Sequence, residues 1–249
     1  LLLRSEDGVV LAIGQQSHAW ISGQLARAWG NERFDAPEPW EEVCLAAEQH
    51  DIAFAAWDLE PTLNQETGLP YSFIEMPLEQ HLAIWSPAPR RLLAQSRYAA
   101  LLVSMHGSRL YRRRNLERME PAQAEAVREY LREQQRFREP LIASLEDEPA
   151  SNAWVMPPLL ARNSQLVWTW DFLSLVICLD WAPRTAKEVP TGDGAVDIEI
   201  APGPRPRTAI LDPWPFGEQA LRVRCDARRL EGELKRAPWE RLEFEFLAG

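Results

Sequence analysis

The spacing of hydrophobic residues changes its period twice along the chain. The opening LLLRSEDGVVLAIG places two short apolar runs around a polar turn containing glycine, the pattern of a β-hairpin. From Ser17 to about Trp181, apolar residues recur at three- and four-residue steps. This predicts helices near residues 18–29, 38–59, 77–85, 88–112, 121–146 and 158–181. After Pro183 the chain turns to short alternating segments, VDIEI, TAIL, LRVRC and LEFEF, punctuated by proline and glycine. A lone hairpin is too small to be stable, so it is expected to join these late strands in one antiparallel sheet beside the helices. The expected fold is mainly α, an all-alpha body with a small antiparallel β-sheet. It would form one domain over residues 1–249, with a helical core at 15–183 and a β-layer from 1–14 and 184–249. A separate C-terminal module is the alternative arrangement.

The cost of burial draws attention to the histidines. All four, His18, His50, His81 and His106, fall in the helical region. In the predicted 38–59 helix, His50 and Asp51 continue the stripe Val43, Ala47, Phe54 and Trp57, and Asp58 returns to the face of Asp51 two turns later. His18 aligns with Ile21 and Leu25, His81 with Leu78 and Trp85, and His106 with Leu102 and Leu110. Asp171 aligns with Val167, Ser174 and Cys178. A single inward histidine is ordinarily satisfied by a neighbouring group. Six ionisable groups on separate helices are a different matter, because each unpaired buried charge costs several kcal/mol unless the groups satisfy one another. A metal does this. Imidazole with carboxylate suits a divalent transition metal, Fe, Mn, Zn, Co or Ni, and six ligands suffice for two ions if Asp51 bridges them. Asp58 reads as a residue that orients a histidine from behind.

Composition narrows the partners. A net charge of −10 disfavours nucleic acid and anionic membrane surfaces, leaving a small anionic molecule, such as a phosphate ester, as the expected ligand. The apolar run from Phe172 to Leu179 is far shorter than the roughly 20 residues of a membrane span, and no basic-then-apolar leader opens the sequence. Three cysteines without a CxxC pair argue against a disulfide framework, so a cytoplasmic setting is expected. Walker and Rossmann phosphate loops, a Ser-His-Asp motif and HExxH are missing. Arg109, one turn after His106, is the expected anion clamp. Its neighbours Arg112, Arg113, Arg114 and Arg118 read as a solvated helix end, as does the charged face of AEAVREYLREQQRFREPLIASLEDE. Tyr71 and Glu75, in the loop GLPYSFIEMP, are placed to reach the same cleft. Most of the 11 tryptophans are expected in the core.

The order His18, His50-Asp51, His81, His106, Asp171 resembles the ligand order of the HD-domain superfamily, helical metal-dependent phosphohydrolases. The resemblance implies an HD-like helical core, with His18, His50, Asp51 and Asp171 as core ligands and His81 and His106 as the extra histidines of binuclear members. It implies hydrolysis of a small phosphorylated molecule with Asp51 at the reaction centre, beside which Arg109, from its spacing after His106, is expected to steady a phosphate oxygen. A smaller set of similar proteins are diiron oxygenases, which is the alternative activity, and a non-catalytic metal-binding or sensory protein is the third reading. The GYP motif of the cyclic-dinucleotide branch is missing. Over nearly its whole length the chain also resembles the uncharacterised bacterial domain-of-unknown-function family 3891. That likeness runs through HAWISGQLARAWGN, EQHDIAFAAWD, GLPYSFIEMPLEQH, SMHGSRLYRRR, WDFLSLVICL and LDPWPF.

Overall fold

Asp7 and Gly8 both take left-handed backbone angles, with φ of 50° and 78°. This is the two-residue turn whose twist matches paired strands. It folds β1 (Leu2–Glu6) onto β2 (Val9–Ile13) in a computed structural model that describes residues 1–230 and 237–249. The helices follow as α1 (Gln15–Ala28), α2 (Trp40–Gln49), α3 (Ala55–Leu59), α4 (Leu78–Trp85), α5 (Arg97–Arg112), α6 (Pro121–Glu146) and α7 (Pro157–Leu179). The later strands are β3 (Arg184–Thr191), β4 (Gly194–Pro202), β5 (Thr208–Asp212), β6 (Ala220–Leu230) and β7 (Trp239–Ala248).

The sheet is far larger than the sequence suggested. Among the described residues seven strands run in the order β1-β2-β6-β7-β5-β4-β3, curled into a half-barrel. The chain is 48% helix and 23% strand, an α/β fold, which overturns the mainly α, all-alpha expectation with its small antiparallel sheet. The sheet is also mixed, because β7 inserts between β6 and β5 and runs parallel to β5. Two physical features hid its extent. Alternation in β6 and β7 continues beyond the apolar centres LRVRC and LEFEF, giving strands of 11 and 10 residues. Strand β3 was not foreseen, since Pro190 and a bulge between Ala186 and Val189, where Glu188 has φ 55°, disrupt its pattern; an edge strand tolerates both.

Two predicted helices are also interrupted. The expected 38–59 helix stops at Gln49, passes through a 3₁₀ turn at Ile52–Phe54 and resumes as α3. The expected 88–112 helix begins as a 3₁₀ turn at Pro89–Leu92, and α5 starts afresh at Arg97, where Ser96 Oγ accepts from Ala99 N at 3.1 Å. No helix among the described residues is long and apolar enough to cross a membrane.

One continuous core joins helices and sheet, with Val223, Cys225 and Ala227 of β6 and Leu242, Phe244 and Phe246 of β7 all buried in it. The hairpin is locked to α7 by a buried cation. Arg4 Nη1 donates to the carbonyls of Ile177 and Cys178, at 3.0 and 3.2 Å, while its Nε donates to Glu6 at 2.7 Å. These carbonyls belong to the last turn of α7, where helix geometry leaves acceptors unfilled and the dipole favours positive charge. Arg4→Ala should therefore lower unfolding free energy by about 2–3 kcal/mol, the scale for losing buried bonds from a charged donor. Urea denaturation measures this, and an unchanged midpoint and slope would show that Arg4 does not hold the hairpin to α7.

Candidate metal centre

Neighbouring residues in a continuous helix point about 100° apart, so His50 and Asp51 can face one point only if the helix ends between them. It does: α2 closes at Gln49, His50 is its last residue with helical angles, and Asp51 turns away at φ −104°, ψ 20°. His50 Nδ1 donates back to Ala47 O at 2.8 Å, which fixes the ring and leaves Nε2 as the atom with a free lone pair. The same break carries Asp58 away from the site. Asp58 Oδ2 accepts from Gln16 N at 3.2 Å at the start of α1, so it steadies the helix bearing His18 and not a ligand ring, as the unbroken-helix reading had implied.

The other groups arrive from α1, α5 and α7. His18 Nε2 lies 2.8 Å from Asp51 Oδ2, and its Nδ1 lies 3.0 Å from Ser174 Oγ. Ser174 spends its own proton on Asp171 O at 2.8 Å, so its oxygen is free to accept from His18. Asp171 Oδ1 stands 3.3 Å from His50 Nε2, and Asp171 Oδ2 stands 3.5 Å from His106 Nε2. All five side chains are buried. Two overlapping groups result, His18/His50/Asp51 and His50/His106/Asp171, with ligand atoms in each within 4.8 Å of one another; these residues could hold a metal ion.

Their hydrogen-bonding state supports that fit. His50 Nε2, 3.3 Å from Asp171 Oδ1, is buried without a well-aligned hydrogen bond, and His106 turns its Nε2 toward Asp171 Oδ2 at 3.5 Å. Buried polar atoms of this kind normally have a partner. Two donors each about 2.1 Å from one ion, at right angles, lie about 3 Å apart, close to the separations found here. Charge is equally polarised. Burial pulls the pKa of His50 down, but the Asp51 and Asp171 carboxylates outweigh it and hold it up to about 9. Burial lifts Asp171, yet His50, His106 and His18 bring it down to about 2. A cation is thus favoured between these carboxylates, as a proton on His50 or as a metal replacing it.

The structure also sorts the remaining candidates. A cavity of about 280 Å³ opens onto the cluster, and His81 lines it. His81 belongs to neither ligand group; its Nδ1 is hydrogen-bonded to Tyr111 OH. Arg109 does not reach the cavity. Its guanidinium sits 4.5 Å over Trp168 and donates to Gln165 Oε1 at 2.6 Å, and the Trp168 ring stands against His106, their centroids 5.5 Å apart. The cation at the cavity is Arg114, just past the end of α5, which lines it while remaining exposed like the rest of its run. Glu75 Oε2 is occupied by Ser72 N and Oγ at 3.1 and 2.7 Å, and Tyr71 N bonds Thr62 O, so both anchor the loop locally. From that loop it is Phe73 and Ile74 that line the cavity. Sequence reasoning missed Tyr111 and Ser22, although Ser22, one turn after His18, was visible as a polar residue at an inward helical spacing; its Oγ lies 3.0 Å from Ser174 Oγ.

A family model described as "Protein of unknown function (DUF3891)" matches residues 1–232. No curated protein and no solved structure matches the chain.

The cluster ties stability to pH. Burial holds His81 and His106 down to about 4, against 6.5 for a free imidazole, so unfolding takes up protons between those values and stability falls as pH drops through them. His50 acts oppositely: its contribution is complete below 6.5 and is lost as pH rises to about 9. In chelator-treated protein the thermal midpoint should peak near pH 6.5 and decline on both sides, with His106→Asn flattening the acid side. A midpoint flat from pH 4 to 9 would contradict the assignment.

Proposed function

The chain belongs to the DUF3891 family, whose description assigns no reaction, and we propose that it is a metal-dependent hydrolase of a small phosphorylated molecule. The observation that carries the reading is the opening of five buried potential ligands, among them His50 with an unpartnered Nε2, onto a cavity that also presents Arg114 and His81. Resemblance of the six-residue order to HD-domain phosphohydrolases supports the same chemistry. His18, His50, Asp51, His106 and Asp171 would hold a divalent transition metal, which when bound lowers the pKa of water and draws charge from a phosphoryl oxygen. His50 belongs to both ligand groups, and with Nδ1 committed to Ala47 it has one nitrogen to offer. This arrangement therefore favours one ion, and a second would draw on His81.

The remaining residues suit a phosphate ester. Arg114 offers a planar fork of donors to non-bridging oxygens. His81, fixed through Nδ1 by Tyr111 and kept neutral at pH 7 by burial, is placed to take a proton at Nε2. Trp85, Phe73 and Leu110 make the walls apolar, which strengthens the electrostatics within.

Elemental analysis of protein purified without chelator or polyhistidine tag, followed by assays of p-nitrophenyl phosphate hydrolysis and oxygen uptake, tests this reading. The expected result is about one metal ion per chain with phosphate release. Asp51→Ala should remove most of the metal, and Asp171→Asn should weaken its binding at least about tenfold. Protein that neither contains nor takes up metal would overturn the proposal, and iron with oxygen consumption would make the protein an oxygenase instead.

A further inference from the structure

Arg109, displaced from the metal cavity, helps form another. On the far side of Trp168 lies a larger cavity of about 480 Å³, within the size range of small-molecule sites, between the end of α5, the middle of α7 and edge strand β3. Two guanidiniums share its indole wall: Arg109 Cζ is 4.5 Å and Arg113 Cζ 5.2 Å from the Trp168 ring centre. Stacking on an aromatic face holds a guanidinium in a defined plane and leaves its edge donors available.

The charges around this cavity do not cancel. Lys187, at the rim, is neutralised by Asp197 at 2.7 Å. No carboxylate among the described residues forms an ion pair within 4.0 Å with Arg109 or Arg113, and Gln165 is the hydrogen-bonding partner of Arg109. Glu188 is the carboxylate that lines the space, and its attraction to Arg109 is weaker than the opposing effects of burial and of Arg113. Two cations brought together against one acid, Arg109 partly buried and Arg113 exposed, both stacked on an indole, form an arrangement that an anion completes. Phe172 supplies an apolar wall beside them.

We propose that this cavity is a second ligand site, separate from the metal centre, for a small organic anion whose phosphate, phosphonate or carboxylate head is held by Arg109 and Arg113 and whose body packs against Trp168 and Phe172. The inference does not depend on a metal being bound or on the reaction proposed above. Isothermal titration of the full chain, as purified, with phenylphosphonate tests it. Binding of about millimolar affinity or tighter is expected, at least about threefold stronger than that of inorganic phosphate because the ring adds apolar contact. The double variant Arg109→Gln/Arg113→Gln should weaken binding roughly tenfold or more, while Arg114→Gln, which alters the metal cavity, should leave it unchanged. Thermal unfolding of each variant checks that it is folded, and Arg113→Lys should retain part of the affinity. Failure to bind, equal binding of inorganic phosphate, or loss of binding in Arg114→Gln with retention in the double variant would each overturn the proposal.

Discussion

The interaction on which the rest of the structure depends is the burial of His50 between Asp51 and Asp171. Three ionisable groups out of water are tolerable only while a positive charge sits among the carboxylates, because isolated buried charges cost several kcal/mol each. The groups come from elements distant in sequence: His18 from α1, the His50-Asp51 pair from the end of α2, His106 from α5 and Asp171 from α7. Satisfying the charges therefore fixes how these helices meet. Any ion bound there would share one equilibrium with helix packing, since a potential ligand set spread over four helices exists only when they are assembled.

The sheet and the loops serve that assembly from outside. Arg4 ties β1 to the last turn of α7, the helix that carries Asp171. Asp58 accepts from the Gln16 amide in the first turn of α1, the turn that carries His18. Gln24, on the same helix, bonds both the amide and the carbonyl of Arg224 at 3.1 and 2.8 Å, on a stretch of β6 that β2 does not cover. A side-chain amide can thus replace a missing strand partner, fastening α1 to the sheet while closing an exposed edge.

How much was legible in the sequence follows from which interactions are local. The Asp-Gly turn, the period of α6 and α7 and the inward position of the histidines are set by residues within a few places of one another, and they could be read. The break at His50 could not, since Val43, Ala47, Phe54 and Trp57 keep helical spacing across it and the constraint that ends α2 is the convergence of buried charges from other helices. Extrapolating that helix put Asp58 on the face of Asp51, where it is not. Arg109 failed for a related reason: spacing along α5 gives its height and angle, but the indole lying against His106 comes from α7. The sheet was underestimated because strand length is decided by pairing partners far along the chain, and β3 carries a bulge and a proline that only an edge position explains.

Gly107 shows how closely the site is built into the core. A Cβ at this position would come within 2.8 Å of Trp85 Cε3 and closer still to Tyr130 OH, so α4 and α6 approach α5 only because the residue after His106 has no side chain. That approach sets Trp85 against His106, with ring centroids 5.8 Å apart, while Trp168 flanks the same imidazole at 5.5 Å. The ring is thereby fixed by shape, with no hydrogen bond at Nδ1 to orient it. His50 is held differently, by its bond to Ala47 O, and His18 by Ser174. The three imidazoles are positioned by three independent means. Pre-positioned donors lose little freedom on binding, so rigidity contributed by the core would count directly toward affinity for a cation at this cluster.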